Sequence, residues 1–123
     1  MKKAAVVTAL ALASLVTACT TYPRSAHHNV PCAANECDAR WTAAQAWVAR
    51  NSAYRIRMAT DAVIETHGPI GNAPGLAYQI TRRMPPGQPG LIEITAFCNA
   101  TVYGCFEDPM PGALALGNAL RGR

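Results

Sequence analysis

The stretch "LAYQITRRMPPGQPGLIEITAFC", Leu76 to Cys98, decides the fold. Its first part sets Leu76, Tyr78 and Ile80 on one side of an extended chain, and its last part does the same with Ile92, Ile94, Ala96 and Cys98. Alternation of this kind marks a strand with one buried face. Between the two runs, "MPPGQPG" (Met84 to Gly90) carries three prolines and two glycines, which makes it a loop. Strands joined by so short a connection pair antiparallel, because a parallel return needs a crossover of about a dozen residues or more.

The pattern extends toward the N-terminus. In "YRIRMATDAVIET", Tyr54, Ile56 and Met58 alternate with Arg55 and Arg57; past a turn at Thr60-Asp61, Ala62 and Ile64 continue against Val63 and Glu65. This predicts two short strands or one bent strand. "HGPIGNAPG", His67 to Gly75, has three glycines and two prolines in nine residues and forms the next loop. Further back, "CDARWTAAQAWVARN" (Cys37 to Asn51) places Cys37, Trp41, Ala44, Trp47 and Val48 within an arc of about 120° at helical spacing. Asn35 or Asp38 can cap this helix. Beyond the strands, Asp108-Pro109 reads as an N-cap and first turn, with Ala113, Leu116, Gly117 and Leu120 recurring at helical spacing. The expected architecture is α+β and two-layered: an antiparallel meander of three or four strands with an N-terminal and a C-terminal helix on one face.

The chain opens Met1-Lys2-Lys3 and then runs uncharged from Ala4 to Val16. That run is shorter than the roughly 20 apolar residues a membrane span requires, so it reads as an export signal. It closes on Leu15-Val16-Thr17-Ala18-Cys19, which resembles the lipobox of bacterial lipoproteins. The resemblance implies cleavage before Cys19, a diacylglycerol on its sulfur and a further acyl chain such as palmitate on its amino group. One acyl chain binds a membrane reversibly, whereas two or more anchor stably. Thr20, in place of the Asp that commonly retains such proteins at the inner membrane, resembles the outer-membrane class, facing the periplasm. The alternative is an ordinary signal peptide cut at Ala18 that leaves Cys19 as a free or bridged thiol. The division expected is a leader over 1–18, the lipidated Cys19 with a flexible tether over 19–34 marked by Pro23 and Pro31, and one small domain over 35–123.

Loss of Lys2 and Lys3 from eleven basic residues leaves nine arginines against seven acidic residues, a net charge of about +2. No basic run is interleaved with stacking aromatics, so nucleic acid is not an expected partner. A core of this size is marginal without reinforcement. Cys32, Cys37, Cys98 and Cys105 supply it as disulfide candidates, with three possible connectivities. A short ring through Gly104 favours Cys98 with Cys105. For Cys32 and Cys37 the competing reading is a metal site with His27 and His28, although the spacing is not a usual ligand spacing.

Trp41, Ala44 and Trp47, together with Cys98-Asn99 ahead of Cys105, resemble a group of small proteobacterial lipoproteins. The resemblance implies fold and location and carries no activity. For catalysis, the histidine outside the tether, His67, has Asp61 and Glu65 nearby, but exposed neighbours of this kind near turns are ordinarily solvated. The glycines of "GPIGNAPG" precede a strand rather than a helix N-terminus and so make no phosphate loop. The two tryptophans lie on the apolar stripe, which places them in the core rather than in a sugar-stacking site. No catalytic residue, metal site or resident cofactor is expected. Arg55, Arg57 and Arg83 should project from the outer sheet face, either as an anion-binding patch or interleaved with Glu65 and Glu93. Leu91 and Phe97 fall on the face opposite Ile92 and Ile94, as a partner surface if exposed or a second core layer if covered. The expectation is a non-enzymatic, membrane-anchored envelope lipoprotein that binds a protein or an anionic envelope component. The rival expectation is a small periplasmic metal-handling protein or hydrolase.

Overall fold

A computed structural model describes residues 23–69, 75–98 and 105–122. In chain order they form β1 (Ser25–Cys32), α1 (Cys37–Asn51), β2 (Ile56–Ala59), β3 (Val63–Thr66), β4 (Ala77–Arg83), β5 (Gly90–Phe97) and α2 (Pro109–Leu120). The leader, Cys19, Thr20, Asn99 and Gly104 lie outside the described residues.

The strands build one five-stranded antiparallel sheet in the order β1-β5-β4-β3-β2. The meander expected from the sequence is β2 to β5. The fifth strand, β1, corrects the tether assigned to 19–34: Ser25 to Cys32 pair with β5 along their whole length, from Ser25 opposite Phe97 to Cys32 opposite Gly90. Ala26, Val30 and Cys32 are buried on its inward face. The alternation is there in the sequence, but His28 occupies one inward position and Pro31 interrupts it. A proline is tolerated because β1 is an edge strand, where a missing N–H costs no ladder bond on the open side.

The core is one layer of side chains between the sheet and two helices. From the sheet come Ala26, Val30, Ile64, Tyr78, Ile80, Ile92, Ile94 and Ala96; from the helices come Trp41, Ala44, Val48, Ala113, Leu116 and Leu120. α1 spans the residues its periodicity marks. Its N-cap is Glu36, whose side chain makes no capping bond, rather than Asn35 or Asp38. At α2 the cap is as expected: the Asp108 carboxylate accepts from the Met110 N–H at 3.0 Å, with Pro109 starting the first turn. Asp108→Ala should cost about 1 kcal/mol, read as a lowered urea midpoint with unchanged slope.

Trp41 is the joint of the helix layer with the far edge of the sheet. Its indole N–H donates to the Thr60 carbonyl at 2.9 Å, and the Arg82 guanidinium stacks 5.0 Å from its ring centroid. Arg82 in turn donates to the Asp61 carbonyl at 2.8 Å and pairs with Asp38 at 2.7 Å. One arginine on β4 thus ties α1 to the β2–β3 turn. Trp47 stands edge-on to Tyr78, centroids 5.5 Å apart. Both indoles are structural.

Cys32 bonds to Cys37 and Cys98 to Cys105. Each bridge closes a junction between a strand end and the following helix: β1 to α1, and β5 to the approach to α2. Gly90 is required beside the first of them. A Cβ there would lie 2.5 Å from Cys37 Sγ and 2.6 Å from Met84 Sδ.

Candidate functional site

Both helices pack on one side of the sheet, which leaves its other side as the candidate surface. Strand register fixes its content. One row runs Met58, Glu65, Gln79, Thr95, His27; a second runs Val63, Thr81, Glu93, Asn29; a third runs Arg83, Leu91, Pro31. Odd positions of β1, β4 and β5 share this face because side chains alternate along a strand. In β2 the register slips between Ile56 and Met58, and this bulge turns Met58 outward together with Arg57.

The arginines do not gather into one cluster. Arg57 and Arg83 belong to β2 and β4, and with strand spacing near 4.8 Å and a rise of about 3.4 Å per residue their backbones stand roughly 16 Å apart. Each has its own carboxylate: Arg57 pairs with Glu65 at 2.5 Å, and Arg83 pairs with Glu93. Arg55 precedes β2 and is exposed; its carbonyl accepts the His67 N–H at 2.9 Å. The geometry is the interleaved one, in which cation and anion alternate across an exposed sheet and each exposed pair contributes less than about 1 kcal/mol.

Beside Arg83 the surface is concave. Pro31, Arg83, Pro85, Gln88, Pro89 and Leu91 line an open cleft of about 400 Å³ where the β4–β5 loop folds over the end of β1. Its walls are proline rings and a leucine, with one guanidinium and one carboxamide at the rim. Such a cleft suits an apolar or proline-bearing segment. Leu91 is therefore part of this surface. Phe97, half-buried at the opposite end, packs in register between Ser25 and Ala77.

The two tether histidines separate to opposite faces. His27 lies on the open side, its Nδ1 3.0 Å from the Thr95 hydroxyl oxygen. His28 turns inward beneath α2, against Gly117, where an added Cβ would collide with the imidazole. Arg121 donates to His28 Nε2 at 2.9 Å and to the Asn29 carbonyl at 3.3 Å. Because arginine only donates, Nε2 accepts and the ring is neutral with its proton on Nδ1. Burial, then the Arg121 charge, lowers the His28 pKa below its ordinary 6.5. The unfolded chain therefore takes up this proton first, so the contribution is complete above about pH 6.5 and is lost as pH falls below it. Urea midpoints should drop on acidification from pH 7 to 5, and His28→Gln should flatten that drop.

The sequence singled out Cys32, Cys37, His27 and His28 as possible metal ligands; the two sulfurs are bonded to each other and the imidazoles face apart. His67 is exposed, the Glu65 carboxylate belongs to Arg57, and Asp61 offers its carbonyl to Arg82. Arg82 and Gly90 carry no signal in the sequence, because their roles follow from contacts across 44 and 53 residues that no local pattern encodes. Among the described residues no helix is long and apolar enough to cross a membrane. Comparison with protein families, with curated proteins and with solved structures finds no match for this chain.

Proposed function

We propose that the protein is a membrane-anchored envelope lipoprotein, non-enzymatic, that holds a small disulfide-braced domain at the bilayer and offers the open face of its sheet to a protein or another envelope component. The observation that carries this reading is the charged start, short apolar run and Leu15-Val16-Thr17-Ala18-Cys19 ending. Two intradomain disulfides support it, since such bridges persist in oxidising compartments. The mixed-charge open face and its proline-walled cleft favour a protein segment over a simple anion, because Glu65 and Glu93 occupy the arginines that an anion would need. The metal-handling alternative requires thiolates that the Cys32–Cys37 bridge engages.

Cys19→Ser tests the anchor. The variant should leave the outer-membrane fraction, appearing either soluble or as an uncleaved precursor, while the wild type stays with outer-membrane markers. Identical fractionation of the two would refute the lipid attachment. Arg83→Glu with Leu91→Asp tests the face, and should abolish the partner adducts that crosslinking in cells captures with the wild type.

A further inference from the structure

Helix α2 has an unusual surface. Its sequence, PMPGALALGNAL, contains no charged residue. Ala113, Leu116, Gly117 and Leu120 are buried against the sheet and α1, yet four of the five exposed positions are also apolar, Met110, Pro111, Leu114 and Ala115, with Asn118 the polar one. Met110 and Leu114 stand one turn apart on the same side, each 40 % exposed, and Phe106 just ahead of the helix is 69 % exposed. A helix exposed to water ordinarily carries a charged or polar outer face, whereas this one offers a single polar side chain, Asn118, near its C-terminal end. Scattered apolar side chains need no explanation, but three large ones grouped on one helix and its approach do.

The route of the chain says what covers them. The described residues begin at Pro23, whose carbonyl oxygen lies 3.3 Å from Cys105 Sγ, while the Arg24 carbonyl accepts the Cys98 N–H at 3.1 Å. Cys105 is the immediate neighbour of Phe106. The chain leading back to Cys19 therefore leaves the domain next to the apolar group, and the four residues from Pro23 to Cys19 reach at most about 14 Å. A lipid attached at Cys19 holds this end of the domain within one short tether of the bilayer.

We propose that Phe106, Met110 and Leu114 seat in the lipid surface that carries the anchor, so that α2 lies along the membrane plane. This rests on the acylation of Cys19 proposed above. Aromatic and aliphatic side chains on one side of a helix insert at the boundary between headgroups and acyl chains. The three side chains act with the acyl chains as a second, weaker attachment, and their effect is orientation. Because α2 and the open sheet face are on opposite sides of the core, seating α2 on lipid turns that face and its proline-walled cleft away from the bilayer.

The test uses the full chain, acylated in cells, purified and reconstituted in vesicles of phosphatidylethanolamine and phosphatidylglycerol. A benzophenone side chain replaces Phe106, Leu114 or, as control, the exposed Thr42 of α1; all three sites are exposed, so the core is left intact. After irradiation, phospholipid adducts should be several-fold more abundant at 106 and 114 than at 42, and Phe106→Asp should suppress those formed from 114. Adducts to a second copy or to residues 19–22, or equal lipid yield at all three sites, would overturn the seating. Intact mass of the same sample separates the two claims. Acylated Cys19 without lipid adducts refutes the seating alone, and a bare Cys19 refutes the anchor and the seating together.

Discussion

Reduction of both disulfides is expected to remove about 4 to 5 kcal/mol of stability, most of what a domain of this size possesses. The bridges close short rings, with sequence separations of 5 and 7. The chain-entropy relation assigns about 2 kcal/mol to the first and about 2.5 kcal/mol to the second. The rings do not overlap in sequence, so their effects on the unfolded chain should add. The first also has a packing role: its sulfurs fill the space over Gly90, and Cys32 and Cys37 are nearly inaccessible to solvent. Thermal unfolding followed by circular dichroism, with and without reductant, should show a loss of folded signal near physiological temperature in the reduced protein. A midpoint that moves by only a few degrees would mean that the bridges add little to a core already sufficient. Single-pair variants should divide the effect, with Cys98→Ala/Cys105→Ala leaving β5 and α2 paired but loosening the approach to Pro109.

Ile80→Ala is expected to cost about 4 kcal/mol. Ile80 is fully buried at the centre of the sheet, opposite Ile64 on one side and Ile94 on the other. Trp41, Ala44 and Val48 of α1 and Leu116 of α2 belong to the same buried core as Ile80. Truncation there loses the transfer energy of three carbons and leaves a hole that strands paired on both sides cannot close. Ile80→Val, which removes one methylene, should cost about 1 kcal/mol and calibrate the loss. Urea unfolding of the three proteins checks this ordering; equal midpoints for Ala and Ile would show that the centre of the sheet is not the centre of the core.

These two effects differ in how far they could be read ahead of the structure. Ile80, Ile92 and Ile94 announce themselves by period two, and Trp41, Ala44 and Val48 by helical period, because burial on one face imposes that spacing locally. The helix spanning Cys37 to Asn51 and the Asp108 cap are legible for the same reason. β1 was not, since a histidine at an inward position and a proline near its end look like a linker until β5 is there to pair with. His28 is tolerated inside because Arg121, 93 residues away, completes its hydrogen bond. On the candidate surface, alternation puts Arg57 and Arg83 on a face, but only register says which carboxylate each one meets. The β2 bulge, which brings Arg57 and Met58 to the same side, has no signal in the local pattern. The cleft beside Arg83 depends on a proline-rich loop folding back over the end of β1, and proline content marks the loop without giving its path.

Location, orientation and the exposure of the sheet face all depend on what happens at Cys19. Intact-mass spectrometry of the protein extracted with detergent from the membranes of cells that express it addresses this directly. The expected mass is that of a chain beginning at Cys19, with both disulfides formed and two or three acyl chains attached. A mass matching an uncleaved Met1, or a chain cut before Cys19 with no lipid on it, would contradict membrane anchoring at that residue.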